Sequence, residues 1–241
     1  MITNTQSGTN VVEIESGIYR INTPISIPGG PGRFSFNQYL LAGDAPFVFH
    51  SGPRQLFPLV KEAIETIIPL ERIAFVGLSH FEADECGALN QFLEAAPDCV
   101  PVCGRIAAMT SVGDFAIRPP RVLADGEELQ LGRHTLRWFD TPHVPHGWDC
   151  GLMLETRTRT LLCSDLFTQG GPGDVALTEA DIFTPSEEFR KPMDYFSHAP
   201  QTRPVLERLA VERPGTLACM HGSAWRGDGA AMLGALAAAL G

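Results

Sequence analysis

In Ser79-His80-Phe81-Glu82-Ala83-Asp84-Glu85-Cys86-Gly87, an imidazole and three carboxylates follow directly on Ile73 to Gly77, an apolar run that reads as a buried strand. His80, Glu82 and Asp84 alternate, so an extended or tightly looped backbone can aim all three at one centre. This mixture of nitrogen and oxygen donors suits iron, manganese or zinc. The plainer reading is a solvated helix start, where acidic residues of the first turn favour the helix dipole.

Three more loops tip the balance. Thr135 to Phe139 runs into Thr141-Pro142-His143-Val144-Pro145-His146-Gly147-Trp148-Asp149, Thr160 to Cys163 into Ser164-Asp165, and Thr216 to Met220 into His221-Gly222. Each is a strand candidate followed by a loop with a histidine or a carboxylate. Loops at strand ends are where a rigid scaffold presents function. A lone strand-end histidine is usually structural, but four such loops together point to one metal site.

Gly17 to Ile25 and Ser35 to Leu41 read as strands on either side of Pro28-Gly29-Gly30-Pro31-Gly32, with Ala45 to Phe49 as a further apolar run. Pro53 to Ile68 has helical periodicity through Leu56, Leu59, Val60, Ala63, Ile64 and Ile67, and Ala88 to Ala95 reads as a short helix. Glu128 to Leu131, Thr135 to Phe139, Gly151 to Glu155 and Thr160 to Cys163 are short strands around turns at Asp125-Gly126 and Gly132-Arg133. Helix returns over Pro204 to Val211 and Gly229 to Leu240, around a strand at Thr216 to Met220. The expectation is an α/β (α+β) chain, one domain over residues 1–241, with two packed sheets and helices outside, a four-layer αββα sandwich. The hairpin-like middle speaks against a wholly parallel sheet.

Composition removes several function classes. The 241 residues carry 18 Lys+Arg against 28 Asp+Glu, a formal charge of -10, which disfavours a phosphate-tracking nucleic-acid binder. The N-terminus lacks the basic and apolar regions of a signal peptide, and the apolar run Ala230 to Leu240 is well short of the roughly 20 residues that span a bilayer. A cytoplasmic location is expected, without membrane or nucleic-acid partners. Cys86, Cys99, Cys103, Cys150, Cys163 and Cys219 are scattered and read as reduced thiols, although Cys99 and Cys103 have a spacing seen in half of a soft metal site.

His80-x-Glu82-x-Asp84, His143 after Thr141-Pro142, Ser164-Asp165 and His221-Gly222, in this order, resemble the metallo-β-lactamase fold from Asn37-Gln38-Tyr39-Leu40-Leu41 to the last helix. Hydrolases of that superfamily carry His-x-His-x-Asp-His; here Glu82 and Glu85 replace the second and third histidines. The first replacement resembles the flavodiiron proteins, as do Ser164-Asp165-Leu166-Phe167 and His221-Gly222-Ser223-Ala224-Trp225-Arg226, and the best match is the oxygen-binding diiron type without a flavodoxin module. The resemblance implies two iron ions: one on His80, Glu82 and His143, the other on Asp84 and His221, with Asp165 bridging. Glu85 stands where the family has a histidine and either ligates or leaves a position to water. The family's usual spacing to the bridging aspartate suits His146, whereas the Thr-Pro-His setting suits His143.

A first shell rich in carboxylates favours higher oxidation states and gives redox-inert zinc little. The expected activity is binding and reduction of O2 or NO, or O2 sensing. Electrons would come from a separate donor protein, since no Gly-rich dinucleotide motif and no FMN site are evident. Homodimerisation is carried over from the family. The rival is a dinuclear zinc or manganese hydrolase of a lactone, thioester or phosphodiester; a metal-free interaction domain is the third reading. Among other residues, Cys86 reads as a small buried residue, His50 as a turn or cap, and His134 as exposed. His198 belongs to a loop that could lie over the site, Trp148 and Trp225 are candidates for its wall, and Arg226 for pairing with Asp149.

Overall fold

The computed structural model describes residues 1–27 and 32–241; the Pro28-Gly29-Gly30-Pro31 break lies outside them. Among the described residues the strands form two sheets. The first runs in chain order: β1 (Ile2–Asn4), β2 (Thr9–Glu15), β3 (Ile18–Ser26), β4 (Arg33–Leu41), β5 (Phe47–Phe49), β6 (Phe75–Gly77), β7 (Val100–Gly104) and β8 (Arg121–Leu123). It is antiparallel through β5 and parallel from there to β8. The second contains β9 (Glu128–Gln130), β10 (Thr135–Asp140), β11 (Gly151–Glu155), β12 (Thr160–Ser164), β13 (Leu177–Thr178), β14 (Thr216–Cys219) and β15 (Ala224–Arg226), in the spatial order β13-β15-β14-β12-β11-β10-β9. Its middle is antiparallel, as the turns predicted, and β12 lies parallel to β14.

Alternation of side chains across each strand divides the apolar residues into three layers. Between the sheets lie Ile18, Tyr39, Phe47, Phe49, Leu136, Trp138, Met153 and Leu162. Outside the first sheet, Leu40, Val48 and Val76 pack on Val60, Ala63 and Ile64 of α1 (Phe57–Glu65), with α2 (Ala83–Cys86) and α3 (Leu89–Ala95) beside it. Two short helices, α4 (Arg105–Ala107) and α5 (Gly113–Phe115), flank a π-helical turn, Ala108–Val112. Outside the second sheet, Leu154, Leu161 and Leu217 pack on α6 (Phe183–Met193), α7 (Thr202–Val211) and α8 (Gly229–Ala239). Helices outside two packed sheets are the expected architecture.

Differences from expectation have local causes. Helix α1 is shorter than Pro53 to Ile68, because Arg54–Leu56 forms a 3-10 turn and Pro58 occupies the first helical turn. Strand β2 is an addition to the expected strands; it pairs along β3 through a tight turn at Gly17, whose φ of +75° suits the hairpin. Helix α6 is masked in the sequence by Pro185 and Pro192: Pro185 sits in the first turn, where a missing N–H costs least, while Pro192 lies inside the helix, in its last turn before the left-handed Asp194. Among the described residues, no helix is long and apolar enough to cross a membrane.

Candidate metal centre

The four loops singled out in the sequence meet at one end of the sandwich, where hydrogen bonds tie the sheets together. Asn37 N–H donates to the Met220 carbonyl at 2.8 Å, and the Asn37 side chain donates to the carbonyls of Cys219 and Gly222, both at 2.8 Å. Tyr39 donates to the Cys219 carbonyl at 2.6 Å, Gly151 N–H to the Ser79 carbonyl at 2.8 Å, and the Ser79 and Ser164 hydroxyls pair at 2.8 Å. Strands that carry site residues are thus locked across the interface before any side chain of the centre is considered.

His80 leaves β6 and is 2% exposed. Its Nδ1 is held by the Ser79 hydroxyl at 2.9 Å, which turns Nε2 toward the opening. That Nε2 lies 3.1 Å from Glu82 Oε2, 3.0 Å from His146 Nε2, 3.6 Å from Asp165 Oδ2 and 3.7 Å from Glu85 Oε1. His146 Nε2 is also 3.0 Å from Glu82 Oε2 and 3.8 Å from Asp165 Oδ2. On the other side His221 donates from Nδ1 to the Ser35 carbonyl at 2.7 Å and directs Nε2 at Asp165 Oδ1, 3.4 Å away, and at Asp84 Oδ2, 3.5 Å away. Asp165 therefore shows one oxygen to His80 and His146 and the other to His221.

Of the two histidines in the second loop, the structure brings His146 to this cluster, which corrects the expectation for His143. His143 is consumed by the loop's own geometry. Its φ is +64°, its N–H donates to the Gly147 carbonyl at 2.8 Å, and its carbonyl accepts from Ser197 Oγ at 2.6 Å. Fully buried Val144 anchors the turn in the core and throws His146 over the cleft. Ser164 has a left-handed φ of +49°, which breaks β12 and projects Asp165 from its end.

The charge balance of the cluster bears on what it could hold. Glu85 is 1% exposed and neither of its oxygens has a hydrogen-bond partner. Burial and the neighbouring Asp165 push its carboxyl well above the usual range. Burial alone would lower His80, but the acidic side chains around it and hydrogen bonds to Cys150 and Glu82 raise it well above an ordinary imidazole. His221 is likewise raised to about 9 against its burial, by Asp165 and Asp84. Hydrogen bonds from His146 and His80 hold Glu82 far below the carboxylate range. Protons here offset four carboxylates whose crowding would otherwise cost several kcal/mol. Cations do the same.

The donors fit that role. Single donor atoms of His80, His146 and Asp165 lie within 4.8 Å of one another, and so do those of His80, Glu82 and Glu85. Two imidazole nitrogens each about 2.1 Å from one ion, at right angles, stand about 3.0 Å apart, the separation between His80 and His146. The cluster opens into a cavity of about 210 Å³ walled by Phe34, Thr168, Phe189, Met193 and Tyr195.

The remaining sequence candidates fall elsewhere. Trp148 is 58% exposed and Trp225 is buried in the core under α8, so neither walls this cavity. Arg226 pairs with Glu15 at 2.7 Å, while Asp149 accepts from Phe81 N–H at 2.9 Å and braces the first ligand loop. His134 is buried against Glu155 at 3.3 Å, correcting the expectation of exposure. His198 is exposed and paired with Asp194, although its neighbour Tyr195 reaches the cavity. Cys99 and Cys103 lie in the apolar core. His50, expected as a turn or cap, is buried, and its Nε2 meets the Ser79 hydroxyl at 2.9 Å. No sequence pattern marked Phe34, Phe189 or Met193, because an apolar wall residue reads as ordinary core, whereas Tyr195 opens the loop with His198 expected over the site.

A family model described as ODP family beta lactamase matches residues 34–219. Rubredoxin-oxygen oxidoreductase of Megalodesulfovibrio gigas is 24% identical over 208 residues, 82% of this chain and 50% of that protein. Diflavin flavoprotein A 1 of Synechocystis sp. is 26% identical over 136 residues, 55% of this chain and 23% of that protein. The chain thus spans about a quarter to a half of the length of the curated relatives it matches. The crystal structure of the flavodiiron protein from Giardia intestinalis shares the fold, with a TM-score of 0.82 at 20% identity over 96% of this chain and 59% of that one. Since the family model takes in well over half of its residues, and flavodiiron proteins are among its relatives, the chain belongs to the ODP family of beta-lactamase-like proteins.

Proposed function

We propose that this chain forms a non-haem diiron centre that binds and reduces O2 or NO with electrons from a separate donor protein. One observation carries the reading: Asp165 divides its two oxygens between His80 with His146 and His221 with Asp84. A carboxylate presented this way suits two cations side by side. His80, Glu82 and His146 would hold one ion and Asp84 and His221 the other, with Asp165 between them and Glu85 supplying a further oxygen. The chemistry that two iron ions would supply there, when bound, is electron transfer to a small molecule.

The side chains do the rest. The Ser35 carbonyl holds the Nδ1–H tautomer of His221, and the Ser79 hydroxyl orients the His80 ring, so that each presents Nε2 to the centre. Phe34, Phe189, Met193 and Tyr195 give the cavity a largely apolar wall with ample room for a diatomic molecule beside the cluster. Tyr195 donates to the Asp165 main-chain carbonyl at 2.9 Å and steadies the loop that carries the shared carboxylate. The prevalence of carboxylates over imidazoles supports iron over zinc.

The test is to load the protein anaerobically with ferrous iron, determine metal content, and add O2 or NO while following the optical spectrum. Two iron ions per chain and a new absorption band are expected. A colourless zinc protein that hydrolyses a lactone, thioester or phosphodiester would overturn the reading.

A further inference from the structure

Asp165 and His221 share a feature that the metal centre does not use: each stands two positions beyond a buried cysteine, Cys163 on β12 and Cys219 on β14. These strands are parallel neighbours. Their register passes from Leu162 opposite Ala218 to Ser164 opposite Cys219, so Cys163 and Ser164 share one partner across the irregularity. Both cysteines point into the apolar layer beneath α6, α7 and α8, fully buried, with the Cys163 thiol directed at Cys219 Sγ at 3.8 Å. Among the described residues no other two cysteines make a sulfur–sulfur contact.

The geometry is close to that of a bond. A disulfide needs sulfurs about 2.05 Å apart and Cα atoms about 4.4–6.8 Å apart, and neighbouring strands run about 4.8 Å apart. Closure therefore requires side-chain rotation rather than movement of the sheet. The chain's reach over two residues is about 7 Å, which bounds the Cα separation between each cysteine and the candidate ligand that follows it.

We propose that Cys163 and Cys219 form a redox partner of the metal centre, a dithiol that gives two electrons to O2 reduction and closes to a disulfide. The proposal rests on the reading of the centre as a diiron site that reduces O2. Reduction of O2 to two waters takes four electrons and four protons. Oxidation of two ferrous ions to ferric supplies two electrons, and closure of the sulfur–sulfur bond supplies the other two together with the two thiol protons. Two protons from solvent complete the balance. The buried sulfurs are out of reach of external thiols, so electrons from the donor return to the disulfide through the centre. This division lets one encounter with O2 run to water before the donor arrives.

The experiment follows iron and thiols in one sample. Protein loaded with ferrous iron without air receives one equivalent of O2, is quenched in acid, unfolded in alkylating reagent and mapped by mass spectrometry, with the optical spectrum recorded before the quench. Two of the six thiols should disappear, in a peptide joining Cys163 to Cys219, while a zinc-loaded control keeps all six. Cys163→Ala and Cys219→Ala should each keep every remaining thiol and release hydrogen peroxide. Iron oxidation with all thiols retained, or with losses at other cysteines, overturns the dithiol and leaves the diiron reading intact. Iron that O2 does not oxidise overturns both. The wild-type thiol map needs no variant, so it decides the matter even where an alanine protein folds poorly.

Discussion

The Nε2 atoms of His80 and His146, from loops 66 positions apart in the chain, face each other at 3.0 Å. Two nitrogen lone pairs at that distance repel unless a proton or a cation lies between them. His146→Ala should lower metal affinity at least tenfold and cost the purified protein close to one ion per chain, as read by metal analysis and competitive titration. His143→Ala should keep both ions, since its main chain rather than its imidazole shapes the loop. The reverse pattern would reinstate His143 as the ligand.

Glu85 separates the metal-free and loaded states. Burial beside Asp165 keeps its carboxyl protonated well above the usual range, so Glu85→Gln is nearly isosteric in the metal-free protein. Its unfolding free energy at neutral pH should change by less than about 1 kcal/mol. With metal present the lost negative charge should weaken binding about tenfold, or about 1.4 kcal/mol. Equal effects in both states would make Glu85 merely structural.

His50 sets an acid limit on stability. Burial pushes its imidazole down to about 3. Between about 3 and its ordinary 6.5 it is neutral when folded and protonated when unfolded, so the unfolded chain takes up the proton. This contribution is complete above about pH 6.5 and declines as pH falls toward 3, by about 1.4 kcal/mol per pH unit. Denaturant titrations from pH 6 to pH 4 should show stability falling more steeply for the wild type than for His50→Asn, the difference between the two approaching this slope.

Gly222 holds the last ligand loop. Its φ is +86°, and an added Cβ would stand 2.6 Å from the Gln169 Cβ, a contact no rotation relieves. Its N–H donates to Ser35 Oγ at 2.8 Å, and its carbonyl accepts from Arg20 and Asn37. Gly222→Ala should cost about 2 kcal/mol or more in thermal or denaturant unfolding and lower metal content through His221. A variant of unchanged stability and metal content would contradict this role.

Much of the architecture is legible along the chain, because strand alternation and the donor types at strand ends are local properties. Ile73 to Gly77 and Thr160 to Cys163 could be read as buried strands from their apolar character, and His80, Glu82, Asp84, Asp165 and His221 as metal donors from the loops that follow them. Three points needed the packed molecule. His143 and His146 share one loop and one chemistry, and the left-handed turn closed by Gly147 and Ser197 decides between them. His134 looks like a surface turn residue until Glu155 on β11 is placed against it. Cys163 and Cys219, 56 positions apart, become neighbours only through the parallel pairing of β12 and β14. Periodicity reports which face of an element is apolar; partners brought together by a crossover or a strained turn depend on contacts between elements, and those exist only once the sheets have packed.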